Sequence, residues 1–262
     1  MASKQRIGAH VDQLDPINEA KERGADAVQI FLGDPQKWNK PTVAYAGGAE
    51  ALRRDAESAD IAIYVHSPYI INVASTNNRI RIPSRKLLQQ TVDLSAEVGA
   101  AGVIVHGGHV TKDDDPSVGF DNWRKCFAGL DVKVPVLIEN TAGGDFAMAR
   151  RLEAIARLWD ALSDFEPGFT LDTCHAWAGG IELADAVEQI TAITGRVDLV
   201  HANGSRDGFD SGRDRHENFG KGELDAEAVA HVVKATGATA ICETPGPAAA
   251  HARDISFLRA RV

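Results

Sequence analysis

Sulfur and aromatic residues are scarce in this chain, with three cysteines, two methionines and 6% aromatic residues in 262 positions. Cys126, Cys174 and Cys242 are widely spaced and odd in number, which excludes a disulfide framework and fits small core residues in a reducing compartment. Cys174 and Cys242 adjoin candidate metal ligands, but strand neighbours point to opposite faces, so Cys242 is expected to turn away from Glu243. No run approaches the roughly 18 apolar residues that a membrane helix needs. The Met1-Ala2-Ser3-Lys4-Gln5 start has no signal-peptide core, so a cytoplasmic location and no membrane partner are expected. Linkers, low-complexity stretches and charge blocks are also missing, so one domain over residues 1–262 is expected. The net charge of −9 argues against nucleic acid as a partner. That objection weakens if the acids hold metal, because three divalent cations would bring the charge to about −3 and invert the local field.

What the chain does contain is eight short apolar runs. They end at His10, Phe31, His66, His106, Glu139, Asp172, His201 and Glu243. From the third onward each finishes on His, Glu or Asp at the same point. An isolated buried charge costs several kcal/mol, so such residues need a shared partner. Recurrence at the carboxyl ends of successive strands places them where a parallel barrel keeps its active site. The runs are near-continuous Val, Ile and Leu, as in strands covered on both faces. Helical patterns lie between them, and the alternation predicts an α/β fold, a single-domain (β/α)8 TIM barrel.

Helix boundaries are readable in places. Asp15-Pro16 opens a helix that Gly24 closes, and Asp225 to Thr236 ends at Gly237. Ser84 is expected to cap a helix over residues 85–98. Further helices are expected over 147–162, 183–193 and 254–261. Two loops are long for a barrel, residues 67–83 and 202–222, and loops of that length usually serve function. Basic residues gather near the strand ends at Arg79, Arg81, Arg85 and Lys86, and again at Arg206, Arg213, Arg215 and Lys221.

The candidate ligands are His66, His106, Glu139, Asp172, His175, His201, Asp214, His216 and Glu243. They are too many for one zinc, which takes four, and suit two or three ions sharing a bridging carboxylate. Nitrogen and oxygen donors without thiolate favour Zn2+ or Mn2+. His10 is expected to support the centre or touch substrate, and His109 to reach a phosphate. His231 and His251 read as surface helix residues, and Trp38 as an anchor for its loop.

Six stretches resemble the endonuclease IV family of apurinic/apyrimidinic endonucleases: residues 65–72 (VHSPYIIN), 105–109 (VHGGH), 137–143 (LIENTAG), 171–176 (LDTCHA), 214–216 (DRH) and 242–244 (CET). They occur in order across essentially the whole chain, and the ENTAG and DTCH stretches are the most specific. The resemblance implies three zinc ions at the barrel mouth, with Mn2+ admissible at one site. His66, His106 and Glu139 would hold one, and Glu139, Asp172, His201 and Glu243 a second. His175, Asp214 and His216 would hold the third. It implies hydrolysis of duplex DNA 5′ to an abasic site by a monomer in base excision repair, leaving a 3′-hydroxyl and a 5′-deoxyribose phosphate, with Glu139 positioning the hydroxide nucleophile. Tyr69 and Ile70 match the family's inserted wedge. Two departures stand out. Gln36 replaces the family's arginine, so a cation that enters the duplex is missing unless Lys37 substitutes. Gly204 replaces a more usual aspartate, from which weaker support for His201 is expected. The alternative reading is a metal-dependent sugar isomerase or epimerase of the xylose-isomerase-like barrel group, which would leave Asp214 and His216 idle. A non-catalytic binding protein is disfavoured because no ligand position is lost.

Overall fold

The computed structural model describes residues 5–144 and 146–262. Residues 1–4, part of the expected domain and of the start read for a signal peptide, lie outside the described residues. The chain runs β1 (Ile7–His10), α1 (Pro16–Arg23), β2 (Ala27–Phe31), α2 (Gly48–Ala59), β3 (Ala62–His66), α3 (Asn78–Glu97), β4 (Gly102–His106) and α4 (Pro116–Phe127). It continues through β5 (Val136–Glu139), α5 (Leu152–Ala161), β6 (Gly168–Asp172), α6 (Thr173–Gly179), α7 (Leu183–Thr194) and β7 (Leu199–His201). A short hairpin, β8 (Gly204–Ser205) and β9 (His216–Glu217), precedes α8 (Ala226–Thr236), β10 (Thr239–Cys242) and α9 (Ala248–Arg259). Eight parallel strands close in the order β1-β10-β7-β6-β5-β4-β3-β2, the barrel expected from the runs.

The barrel interior explains why the strand ends carry polar groups. Ala27, Tyr64, Ile104, Leu137, Leu199 and Ile241 form an apolar cluster separate from the larger one between sheet and helices. With a side-chain period of two, the residues two further along point the same way. Those residues are Gln29, His66, His106, Glu139, His201 and Glu243, so the chemistry sits one layer above an apolar plug. Cys242, of opposite parity, packs in the outer cluster as expected.

Several helix boundaries differ from expectation. α3 starts at Asn78 rather than after Ser84, because Asn77 caps Arg79 N at 2.9 Å and Arg81 ties back to Ser75 O at 2.8 Å. The helix passes through Pro83, and the long loop after β3 is correspondingly shorter. α5 starts at Leu152 rather than 147, because the preceding backbone is already paired: Met148 N donates to Gly108 O at 2.8 Å and Thr141 N to Ala149 O at 3.1 Å. α9 starts at Ala248, not at Asp254. Asp15 and Asp225 cap α1 and α8, and Gly24 and Gly237 close them in the left-handed conformation. Among the described residues no helix is long and apolar enough to cross a membrane.

Candidate metal centre

His66, His106, Glu139, Asp172 and His201 are the last residues of β3, β4, β5, β6 and β7, and Glu243 directly follows β10. Asp172 also caps α6, accepting from His175 N at 2.6 Å, so the turn after β6 places both side chains on one side. The β8–β9 hairpin returns the loop after β7 to the barrel mouth and brings His216 and Asp214 over the site.

All nine candidate residues meet there. Glu139 is central. Its Oε2 lies 3.3 Å from Nε2 of both His66 and His106. Its Oε1 lies 3.0 Å from His201 Nδ1 and 3.1 Å from His175 Nδ1. The donor atoms form overlapping groups, each with all its atoms within 4.8 Å of one another: His66 with His106 and Glu139; Glu139 with Asp172, His201 and Glu243; Asp172 with His175 and His216. The third group differs from the expected one by including Asp172. Asp214 Oδ1 nevertheless stands 3.1 Å from His175 Nε2 and 3.3 Å from His216 Nε2. Both of those nitrogens are buried and neither makes a hydrogen bond of good geometry. Orphaned imidazole nitrogens aimed at carboxylates fit a metal, which needs lone pairs and negative charge at one point. Cys174 also neighbours Asp214 and His216. Burial pushes its thiol up to about 12, which keeps it protonated and makes it a poor ligand.

Electrostatics reinforce the grouping. Burial opposes ionisation of Glu139, yet the imidazoles of His201 and His106 hold it well below the carboxylate range. Burial likewise disfavours charge on Glu243, but His201 and His216 bring it down to about 2. His201 moves the other way: desolvation is outweighed by Glu243 and Glu139, which raise it to about 9. Asp172, with no exposed surface, is pushed up by burial. The centre thus holds protons where divalent ions could replace them.

Polar residues that sequence reading passed over hold the ligands in place. Asn140 clamps the Asp172 backbone, with Oδ1 accepting from its N–H at 2.8 Å and Nδ2 donating to its carbonyl at 3.0 Å. Asn203 Nδ2 donates to Asp172 Oδ2 at 2.7 Å, and Asn203 Oδ1 accepts from Glu243 N at 2.8 Å. Gln29 bonds His201, Glu243 and His10. The one signal available for these residues was a fully polar side chain inside or directly after an apolar run. His201 is therefore supported by Gln29 whatever stands at 204. Gly204 has its own reason: a Cβ there would lie 2.6 Å from Glu217 O, across the β8–β9 pair.

Tyr69 stands over the centre, half exposed, its ring centroid 5.0 Å from Phe31, 5.3 Å from His66 and 5.9 Å from His106. It helps to line a cavity of about 480 Å³ together with His66, His106, His175, Asp214, His216 and Glu243. Ile70 and His109 line an adjoining cavity of about 360 Å³. His10 lies at the edge of the centre, 3.8 Å from Glu243. Gln36 is exposed, and Lys37 beside it pairs with Asp34 at 2.8 Å. Trp38 is 48% exposed. One expectation fails here. His251 is buried rather than on the surface, because Arg23 Nε donates to its Nδ1 at 2.9 Å and its Nε2 faces Thr244 O at 2.6 Å.

Residues 17–261 match the family model described as xylose isomerase-like TIM barrel, and the chain belongs to that family. Within it the chain belongs to the endonuclease 4 (endonuclease IV) family. It is 55% identical over 255 residues to a protein named probable endonuclease 4 from Mycobacterium bovis, covering 97% of this chain and 98% of the relative. The crystal structure of endonuclease IV from Thermus thermophilus superposes with a TM-score of 0.83 at 27% identity, covering 97% of this chain and 98% of that one. A D-tagatose 3-epimerase-like protein superposes with a TM-score of 0.76 at 20% identity over 98% of this chain and 97% of its own, a likeness of fold alone.

Proposed function

We propose that this protein is a metal-dependent DNA-repair endonuclease that cleaves duplex DNA on the 5′ side of abasic sites, leaving a 3′-hydroxyl and a 5′-deoxyribose phosphate. The observation that carries the reading is the convergence of nine candidate residues in a chain of the endonuclease 4 family: eight lie in groups joined by Glu139 and Asp172, and the ninth, Asp214, stands 3.1 Å from His175 and 3.3 Å from His216. His66, His106 and Glu139 would hold one ion, and Glu139, Asp172, His201 and Glu243 a second. His175, Asp214 and His216, with Asp172 beside them, would hold a third. Zinc ions are proposed, with manganese admissible at one position. Bound there, such ions supply Lewis acidity toward a phosphodiester and ionise water near neutral pH.

The chain's own residues do the rest. Glu139 presents one oxygen to each side of the centre and so fixes the spacing of two groups. Glu243, Asp172 and Asp214 supply the charge that lets His201, His175 and His216 gather without repulsion. Tyr69 walls the cavity with an exposed edge, and Ile70 extends that wall toward the next cavity, so both are placed to enter a duplex at a lesion. An abasic nucleotide lacks base pairing, which makes its extrusion into such a cavity the least costly. Gln36 lies on the neighbouring loop, after β2, and would contact the backbone without the reach of an arginine. Action as a monomer in the cytoplasm belongs to the same proposal.

Contact of Asp214 and His216 with His175 supports this reading over a sugar isomerase, which would leave that pair without a task. The test is incision of a duplex carrying one synthetic abasic site, against an intact duplex and against Glu139→Gln. A single cut leaving a 3′-hydroxyl, lost in the variant, is the expected result. No cut by zinc-loaded protein would overturn the proposal and direct the search to small carbohydrates.

A further inference from the structure

Gln29 is a fully buried amide in the barrel interior, one layer above the apolar plug. Its side chain touches three groups of the centre. Nε2 donates to Glu243 Oε1 at 2.6 Å and faces His10 Nδ1 at 3.0 Å, while Oε1 lies 2.7 Å from His201 Nε2.

These contacts determine the amide's orientation. A Glu243 that binds an ion does so as a carboxylate and can only accept, so the NH2 end of Gln29 must face it. Turning the amide over would set two acceptors 2.6 Å apart. The carbonyl end therefore faces His201, and His201 must place a proton on Nε2 to meet it. Its other nitrogen, Nδ1, is left pointing at Glu139 Oε1 (3.0 Å), Glu243 Oε2 (3.3 Å) and Asp172 Oδ2 (3.9 Å), the carboxylates of one donor group.

Three of the other four candidate histidines are arranged the opposite way. His66 Nδ1 meets Ser67 O at 2.7 Å, His175 Nδ1 meets Asn140 O at 3.0 Å and His216 Nδ1 meets Glu243 O at 3.4 Å. Each uses a backbone carbonyl to hold Nδ1 and so presents Nε2. His201 is oriented by a side chain instead, and by one that also fixes a second donor, Glu243.

We propose that Gln29 is a positioning residue that makes Nδ1 of His201 its metal-facing atom and aligns Glu243 beside it. The inference rests on the metal-centre reading above. It concerns the ion held by Glu139, Asp172, His201 and Glu243 and leaves the other groups untouched. Partners of this kind typically change metal affinity by about 10–100-fold when removed.

The test uses zinc-loaded protein with 15N-labelled histidine and long-range 1H–15N correlation, which distinguishes protonated from metal-bound ring nitrogens. Wild-type His201 is expected to show a protonated Nε2 and a metal-bound Nδ1, the reverse of His66 and His175. Gln29→Met keeps the volume but offers only a weak thioether acceptor and no N–H donor. It is expected to lose that signature and to release one zinc about 10–100-fold more readily to a chelator, the others being retained. Gln29→Glu keeps an acceptor for the Nε2 proton but sets a second carboxylate against Glu243 Oε1, so it is expected to keep the His201 signature while releasing one zinc more readily than wild type. A wild-type His201 protonated at Nδ1 overturns the inference without any variant, as does a Gln29→Met protein with unchanged signature and zinc release. Wild-type protein that binds no zinc overturns the metal-centre reading and this inference together, whereas normal zinc binding with an indifferent Gln29 overturns this inference alone.

Discussion

Gly204→Ala adds a single methyl group where the β8–β9 hairpin is closest. The new Cβ would meet Glu217 O at 2.6 Å, and Glu217 C and Asn218 O at 3.4 Å, all backbone atoms that cannot rotate away. Relief to an ordinary contact of 3.4 Å requires the strands to part by about 0.8 Å, and β9 carries His216. Forcing a methylene into packed structure costs about 1–3 kcal/mol, while replacing glycine stiffens the unfolded chain and returns about 0.4–1 kcal/mol. The net is a loss of about 0.5–2 kcal/mol, which for a chain of this size lowers Tm by about 1–8 °C. Displacement of His216 should also loosen the group it shares with His175 and Asp172. Gly208 lies in the same loop, and a Cβ added there would meet nothing within 4 Å, so Gly208→Ala is the control, expected to be neutral or slightly stabilising. Thermal unfolding of both variants, with zinc content measured after dialysis, decides the matter. Equal Tm for the two, with full zinc in Gly204→Ala, would refute the close-contact argument and restore the view that an aspartate is merely missing at this position.

Asp254 accepts from Thr244 Oγ1 at 2.7 Å, Asn218 Nδ2 at 2.9 Å and Phe219 N at 3.3 Å, and so ties the loops that carry Glu243 and His216 to α9. Asp254→Ala strands those donors and should cost about 2–3 kcal/mol; a urea midpoint equal to wild type would contradict it. Gln36→Arg supplies a long exposed cation and should tighten binding to abasic duplex with a steeper salt dependence; unchanged affinity in a titration at two salt concentrations would count against a role for this loop. The metal-free protein should lose stability with rising pH, because His201 has its folded pKa raised from 6.5 to about 9: that contribution is present below pH 6.5 and lost as pH climbs through 9. Zinc replaces protons at the centre, so the Tm gap between zinc-loaded and chelated protein should widen across this range, and a constant gap would oppose the assignment.

The sequence alone determined the barrel and the identity of the candidate ligands, and the reason is periodicity. A buried parallel strand is a short Val/Ile/Leu run, and a polar residue at its carboxyl end has one place to go, so His66, His106, Glu139, Asp172, His201 and Glu243 were legible one strand at a time. Caps such as Asp15 and Asp225 were legible because their hydrogen bonds close within three residues. What only the tertiary structure decided is everything that depends on contact between strands. Gln29 and His201 lie 172 positions apart, and nothing local marks that amide as a partner rather than a misplaced polar residue. The helix expected over 254–261 begins six residues earlier, at Ala248, and the Asp254 carboxylate, inside it, reaches across to Asn218 and Thr244, contacts that no local pattern marks. His251 read as a surface residue until Arg23, on α1, was seen beside it. The division of nine donors into overlapping groups, with Asp172 joining the third, depends on side chains from different strands meeting at distances of 3 to 4 Å, and barrel closure sets those distances where sequence order does not.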